Sequence, residues 1–158
     1  MNTKDLLKQL QEKAARFDLE ALKQEYAVYQ SEEATISATD FATLNKKFNL
    51  ETLISLKENE GNFFAEPINE RYLMKFRDAI NAFMDTHAPG DEEFKDYIRQ
   101  LNCYRTFILK IPMHPVGMSL DKGKVINKGG QYYCTAKKFY INQENSLCRF
   151  CVAKISEL

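Results

Sequence analysis

The sequence predicts a mainly α-helical protein, a helical bundle with a small C-terminal β-hairpin module that a metal ion stabilises. Three observations predict this fold class. Apolar residues recur at three- and four-residue steps through the first hundred positions, which is helical periodicity. The prolines of IPMHPVGM and the Gly-Gly pair at 129–130 then mark a change to loop and hairpin structure. All four cysteines follow residue 102.

Length and composition favour one domain, with a helical part at 1–111 and a cysteine-rich hairpin part at 112–158 packed on it. Hydrophobic residues make up 44% and charged residues 28% of the 158 positions, which excludes wholesale disorder. No apolar run approaches the roughly 18 residues of a spanning helix, so a membrane is not an expected partner. The N-terminus lacks the apolar core of a secretory signal, and we therefore expect a cytoplasmic protein with reduced thiols.

The first half of the chain is predicted to form three amphipathic helices. Caps are expected at Asp18 for the second helix and at Thr39 or Asp40 for the third. Asn49 then begins a further turn, which ends in a loop at 57–62. The apolar stripes, in chain order, are Leu7, Leu10, Ala14 and Phe17; Leu19, Leu22, Tyr26 and Tyr29; Phe41, Leu44 and Phe48; and Leu50, Leu53, Ile54 and Leu56.

Two more helices follow. Pro67 begins the first, because proline suits the first turn of a helix, and the Pro-Gly pair at 89–90 ends it. Asp91 caps the second. After Leu101 this last helix is apolar on every side, so we expect the C-terminal module to pack there and Cys103, on the opposite face from the stripe, to point at it. The core-facing residues are Ile68, Leu73, Phe76, Ile80, Phe83 and Met84, then Phe94, Tyr97, Ile98, Leu101, Tyr104 and Ile108.

The C-terminal segment predicts a β-hairpin. In GKVINKGGQYYCT, Gly129 and Gly130 form the tight two-residue turn, since both positions need a positive φ. AKKFYINQENS is a connecting loop or short turn. LCRFCVAKISEL, at 147–158, predicts a short final helix.

Cysteine spacing predicts a metal site. Cys148 and Cys151 form a Cys-x-x-Cys pair, whose spacing lets one tight turn direct both sulfurs at an ion. Cys134 ends the second predicted strand, His114 offers an imidazole between two prolines, and Cys103 is the rival fourth ligand. Zinc is the first choice, and four thiolates would alternatively hold an iron–sulfur cluster. The cysteines could also be small buried apolar residues or a redox pair, although the βαβ pattern of thioredoxin-like proteins is absent.

The stretches FILKIPMHPVGM, KGGQYYC and LCRFCVAK together resemble the signatures of an uncharacterised family of methanogenic archaea, a domain of unknown function. The resemblance covers about the last sixty residues closely and the helices more loosely. It implies no activity, but an anaerobic source would favour an iron–sulfur cluster. The family pattern maps onto His114, Pro115, Gly117, Cys134, Cys148 and Cys151 and does not include Cys103.

Charge is distributed unevenly along this neutral chain. Residues 1–102 contain 13 Lys/Arg against 19 Asp/Glu, and residues 103–158 contain 9 against 3. The basic C-terminal third therefore predicts either an anionic partner, nucleic acid among them, or two halves of opposite charge that pack together. Nearby lysines would also offset the negative charge of metal-bound thiolates.

Basic and aromatic residues alternate in this third, as on surfaces that bind single-stranded nucleic acid, although in a hairpin such aromatics can also be core. The residues concerned are Lys122, Lys124, Lys128, Lys137, Lys138, Arg149 and Lys154, with Tyr132, Tyr133, Phe139, Tyr140 and Phe150. Two functions stay open. One is a zinc-stabilised binding module for an anionic or macromolecular partner. The other is a metalloenzyme with three thiolate ligands and a fourth position that is open or filled by His114.

Overall fold

The computed structural model describes residues 1–156 and has a mainly helical fold with a small four-stranded sheet near its C-terminus. A π-helical segment at Tyr104–Leu109 continues the fifth helix, and Lys110 ends it in a left-handed conformation with φ 56°. None of the helices within residues 1–156 combines the length and apolarity that crossing a bilayer requires. The five long helices are α1 (Thr3–Ala14), α2 (Leu19–Ser31), α3 (Phe41–Glu58), α4 (Glu70–His87) and α5 (Glu92–Cys103).

Side-chain caps determine where several helices begin. Asn2 and Asp5 form a reciprocal capping box on α1, in which each side chain accepts the other residue's backbone N–H at 2.9 and 2.8 Å. The predicted caps Asp40 and Asp91 are confirmed, because each carboxylate accepts the backbone N–H three residues on, at 3.2 and 3.0 Å. Asp18 occupies the N-cap position of α2 without such a bond.

The predicted helix start at Pro67 is wrong, because α4 begins at Glu70. Residues 66–68 are extended instead. Backbone hydrogen bonds of 2.9 and 3.0 Å join them to Thr3 and Met1, which satisfies groups that a helix would otherwise use.

The predicted break at Asn49 is also wrong, because α3 runs through it without interruption. The side-chain oxygen of Asn49 accepts a hydrogen bond of 2.9 Å from Arg105, so it does not cap a new helix. A tertiary contact has replaced the local one that the sequence suggested.

The core lies between α1, α3, α4 and α5, and the predicted stripes supply most of it. Tyr104 is fully buried within this core. Its hydroxyl lies 2.8 Å from the Ser55 hydroxyl and accepts a hydrogen bond of 3.0 Å from the Asn59 amide, so the buried polar group is satisfied. The buried core residues include Leu6, Leu7, Leu10 and Ala14; Leu50, Leu53 and Leu56; Leu73, Phe76, Ile80 and Met84; and Leu101 and Cys103.

The C-terminal sheet contains the predicted hairpin. Its order is β1-β2-β3-β4, with antiparallel pairing between the first three strands and parallel pairing of β4 with β3. Gly129 and Gly130 have φ 62° and 85°, so the predicted tight turn is confirmed. The strands are β1 (Ser119–Leu120), β2 (Gly123–Lys128), β3 (Gln131–Cys134) and β4 (Lys154–Ile155).

The predicted final helix is wrong. After β3 the chain forms one helical turn, α6 (Lys137–Tyr140), and a 3₁₀ turn at Cys148–Phe150. It then enters β4, because pairing with the free edge of β3 satisfies the backbone groups that a helix would have bonded internally. Positions 157–158 of the predicted helix lie outside the described residues.

Phe150 joins the C-terminal module to the helices. Its ring centroid lies 5.4 Å from that of Phe76 and 5.5 Å from that of Tyr72, both on α4. Phe107 contacts the same Phe76 ring, with 5.5 Å between the centroids. The C-terminal module therefore contacts α4 through Phe150, on the same Phe76 ring that Phe107 contacts from the π-helical segment.

Candidate functional site

A cleft of about 680 Å³ lies between the helices and the C-terminal module, and it holds most of the candidate site residues. The module contributes Cys134, Cys148 and Cys151 to its walls. The helical side contributes Arg105 and several apolar side chains, and His114 lines it from the loop between the two parts. The packing of Phe150 and the course of β3 thus bring together residues that are distant in the sequence.

Cys134 lies at the end of β3, within the small apolar core of the sheet. Burial raises the pKa of this thiol, and hydrogen bonds from the backbone amides of Ala136 and Lys137 act in the opposite direction. The charges of Cys151 and Cys148 raise it further, because a second thiolate nearby disfavours ionisation of the first. Cys148 and Cys151 are therefore within electrostatic range of Cys134.

Cys148 and Cys151 are presented by the 3₁₀ turn. The N–H of Cys151 donates to the carbonyl of Cys148 at 3.2 Å, and both residues are half-buried. All four cysteines of the chain are free thiols. Within residues 1–156, no three His, Cys, Asp or Glu side chains form a ready-made group for a metal ion.

His114 lies on the same cleft, but Arg105 is the charged group that acts on it. Desolvation of the ring and the charge of Arg105 both lower the pKa of His114, although the residue as a whole is exposed. The imidazole is therefore neutral at pH 7, which is the form that binds metal or accepts a hydrogen bond.

The prediction that Cys103 faces the C-terminal module is wrong. Its thiol is 1% exposed and belongs to the helical core. Burial raises the pKa of Cys103 to about 11, and the cations that act against this are Arg77, Arg99 and Lys13, on α4, α5 and α1. Helix α4 covers the face that the sequence assigned to the module. Cys103 is not among the described residues that line the cleft, so its position does not favour a role as fourth ligand.

Arg105 is a buried cation that the sequence analysis missed as a site residue, with 2% of its surface exposed. Nε donates to the Thr52 hydroxyl at 2.9 Å, and the terminal nitrogens donate to the side-chain oxygens of Asn102 and Asn49 at 3.0 and 2.9 Å. The Phe48 ring centroid lies 3.9 Å from its guanidinium carbon. An arginine inside the apolar run YRTFIL is a sequence signal that could have identified this position, because a buried charge needs partners.

The basic surface of the C-terminal third differs from the predicted one in two places. Lys137 is buried, and its ammonium donates to the carbonyls of Cys151 and Ala153 at 3.0 and 2.6 Å. Phe150 belongs to the core. Phe139 remains exposed, with the ammonium groups of Lys122 and Lys138 at 5.5 and 5.3 Å from its ring centroid. The predicted basic residues that are exposed to solvent are Lys122, Lys124, Lys128, Lys138, Arg149 and Lys154.

These features define a small, mainly helical protein in which three free cysteines of the C-terminal module line a partly polar cleft. Residues 2–156 match the model of the family described as "Uncharacterized protein conserved in archaea (DUF2115)", and the chain belongs to that family. The resemblance to an uncharacterised family of methanogenic archaea is thereby confirmed.

Several proteins of methanogens are similar to this chain. The UPF0305 protein MJ0646 of Methanocaldococcus jannaschii is 36% identical over 115 residues, which cover 71% of this chain and 70% of that protein. A UPF0305 protein of Methanothermobacter thermautotrophicus is 31% identical over 98 residues, covering 61% and 60%. The UPF0305 protein MmarC5_0909 of Methanococcus maripaludis is 33% identical over 72 residues, covering 45% and 44%. No solved structure matches this chain.

Proposed function

We propose that this protein is a cytoplasmic binding module for an anionic or macromolecular partner, and that a zinc ion held by Cys134, Cys148 and Cys151 stabilises its C-terminal sheet. The observation that supports this most is that all three thiols line the same cleft, with Cys148 and Cys151 close enough for their charges to act on Cys134. Zinc would supply a cross-link between β3 and the 3₁₀ turn, in a module too small to build a large core.

The surroundings of the thiols suit an anionic group. Burial raises the pKa of the Cys134 thiol, and two backbone amides that donate to its sulfur partly offset this rise by stabilising the thiolate form. The buried ammonium of Lys137 lies beside the turn, and its partners are the neutral carbonyls of Cys151 and Ala153. A buried cation with neutral partners would be stabilised by thiolates nearby, and would in turn offset their charge.

Elemental analysis after purification without chelator tests the zinc proposal. We expect about one zinc per chain, as for a single tetrahedral site. Cys148→Ser should lose the metal, whereas Cys103→Ala should keep it, because Cys103 belongs to the helical core. Metal-free wild-type protein, or equal zinc in both variants, would contradict the proposed site.

The second candidate is a metalloenzyme in which the fourth metal position is open or filled by His114. The presence of His114 on the same cleft favours it. Cobalt substitution separates the two, because cobalt spectra report coordination number. If the His114→Ala variant retains cobalt and gains an exchangeable water, the result favours the metalloenzyme hypothesis. If the variant loses the metal, His114 is a structural ligand. An iron–sulfur cluster is the further alternative, and it would need a fourth ligand other than Cys103.

The exposed basic residues suggest how the partner could be tested. Exposed Phe139 between two lysines offers a ring for stacking and cations for phosphates, as single-stranded nucleic acid requires. We expect the protein to bind short oligonucleotides with an affinity that falls steeply with salt. Phe139→Ala should weaken that binding, while Phe64→Ala, which removes an even more exposed ring on the helical part, should not. Binding that is undetectable at low salt would exclude nucleic acid.

A further inference from the structure

Arg105 has no acidic partner, although it is almost wholly buried. None of the ion pairs within residues 1–156 includes it. Its described hydrogen-bond acceptors are the uncharged oxygens of Thr52, Asn49 and Asn102. A buried guanidinium is normally compensated by a carboxylate or phosphate in direct contact, whereas Arg105 has only the charge of Glu51 acting on it, without an ion pair.

Neighbouring residues hold Arg105 in this position. The Thr52 hydroxyl donates to the carbonyl of Phe48 at 2.8 Å, which leaves its lone pairs for the Nε–H of Arg105. Phe48 stacks on the guanidinium, and Asn49 lies next to it on α3. One patch of α3 therefore fixes the plane of the guanidinium. Such fixation is what oriented recognition of an oxyanion requires.

Two of the five N–H groups of Arg105, one on each terminal nitrogen, have no partner among the described residues. Arg105, Asn49 and Asn102 all line the cleft, so the guanidinium and its amide partners lie at the cleft wall. The cleft volume of about 680 Å³ is within the usual range for small-molecule sites. Apolar residues of the helices and of the segment that follows them line the cleft, and they include Phe41, Phe83, Met84, Ile98, Met113 and Met118.

We propose that this cleft binds a small organic acid, with its carboxylate on the free N–H groups of Arg105 and its apolar body against the methionine and aromatic side chains. The imidazole of His114 lines the same cleft and can hydrogen-bond the ligand. This inference does not rest on the proposed zinc site, since no cysteine takes part in the recognition.

The probe is hexanoate, and hexanamide is its uncharged match. Hexanoate should raise the melting temperature of the wild-type protein and bind at least about tenfold more tightly than hexanamide, because hydrogen bonds to a charged group are the stronger kind. Arg105→Met should weaken hexanoate binding by at least about tenfold. Arg99→Met is the matched control, because that guanidinium, two turns earlier on the same helix, already has Asp96 as its partner. It should leave hexanoate binding within about twofold of the wild-type value.

A second measurement does not depend on the variants folding. In protein labelled with ¹⁵N-arginine, the Nε–H resonance of Arg105 should shift on addition of hexanoate and stay in place with hexanamide. No shift at about 10 mM hexanoate would overturn the proposal, as would equal binding by Arg105→Met. Inorganic phosphate is the third probe. If phosphate binds more tightly than hexanoate, the site recognises an oxyanion without an apolar body, and the assignment to an organic acid is wrong.

Discussion

Replacing Phe150 by alanine should destabilise the protein by about 3 to 5 kcal/mol, the usual cost of removing a buried phenylalanine. The side chain is 8% exposed, and its ring contacts both Phe76 and Tyr72 at centroid distances of 5.4 and 5.5 Å. Aromatic pairs of this kind contribute about 0.5–1.5 kcal/mol beyond their buried area. Because Phe150 lies between the two cysteines of the 3₁₀ turn, its loss should also loosen that turn.

Urea denaturation followed by circular dichroism measures this change, and Phe139→Ala is the matched control. Phe139 is 49% exposed, so its removal should change the free energy of unfolding by less than about 0.5 kcal/mol. A double-mutant cycle between Phe150→Ala and Phe76→Leu should give a coupling of about 1 kcal/mol. Equal unfolding midpoints for Phe150→Ala and Phe139→Ala would show that the proposed junction between the sheet and the helices does not exist.

Two further predictions concern backbone space and pH. In Gly123→Ala the new Cβ would lie 2.2 Å from the Thr135 hydroxyl oxygen and 2.7 Å from the backbone nitrogen of Ala136. We expect Gly123→Ala to lower the free energy of unfolding by about 1–3 kcal/mol, as measured by thermal unfolding. Gly130→Ala, where space is open, should lower it by about 1 kcal/mol. Equal decreases in the two variants would refute the clash. The pKa of Cys103 is raised from 9.0 to about 11, so the folded state binds the proton more tightly than the unfolded state. Stability should therefore fall between pH 9 and 11, by up to about 3 kcal/mol, and an unchanged slope in Cys103→Ala would exclude this thiol as the cause.

The sequence predicted those elements whose signals are local. The apolar stripes of α1 and α4 follow helical spacing. Both stripes lie in the core, because burial of apolar surface is the main favourable contribution to folding. The Gly129-Gly130 turn was predictable because few other residues adopt two successive positive φ values. The caps Asp40 and Asp91 were predictable for a similar reason, since their hydrogen bonds are made within three residues.

The errors arose where a distant segment supplied the partner. The extended residues 66–68 depend on the chain start, and β4 depends on the edge of β3. Asn49 has the sequence features of a cap, but its oxygen accepts from Arg105, 56 residues away. Cys103 was predicted on the wrong side because the helical periodicity of α5 gives the direction of its side chain but not that α4 covers this face. The sequence identified three cysteines of the cleft wall and His114, but the cavity itself exists only between two packed parts.

The π-helical segment has a consequence for changes in chain length. Each hydrogen bond in a π-helix spans five residues, one more than in an α-helix, so Tyr104–Leu109 contains an additional residue per turn. A deletion of one residue after Arg105 would let the segment return to α-helical spacing. Because this change in spacing compensates for the lost residue, the chain beyond the segment would keep its direction relative to α5. A deletion within the regular turns of α5 has no such compensation and would rotate everything beyond it by about 100°, so we expect it to be more damaging than a deletion inside Tyr104–Leu109.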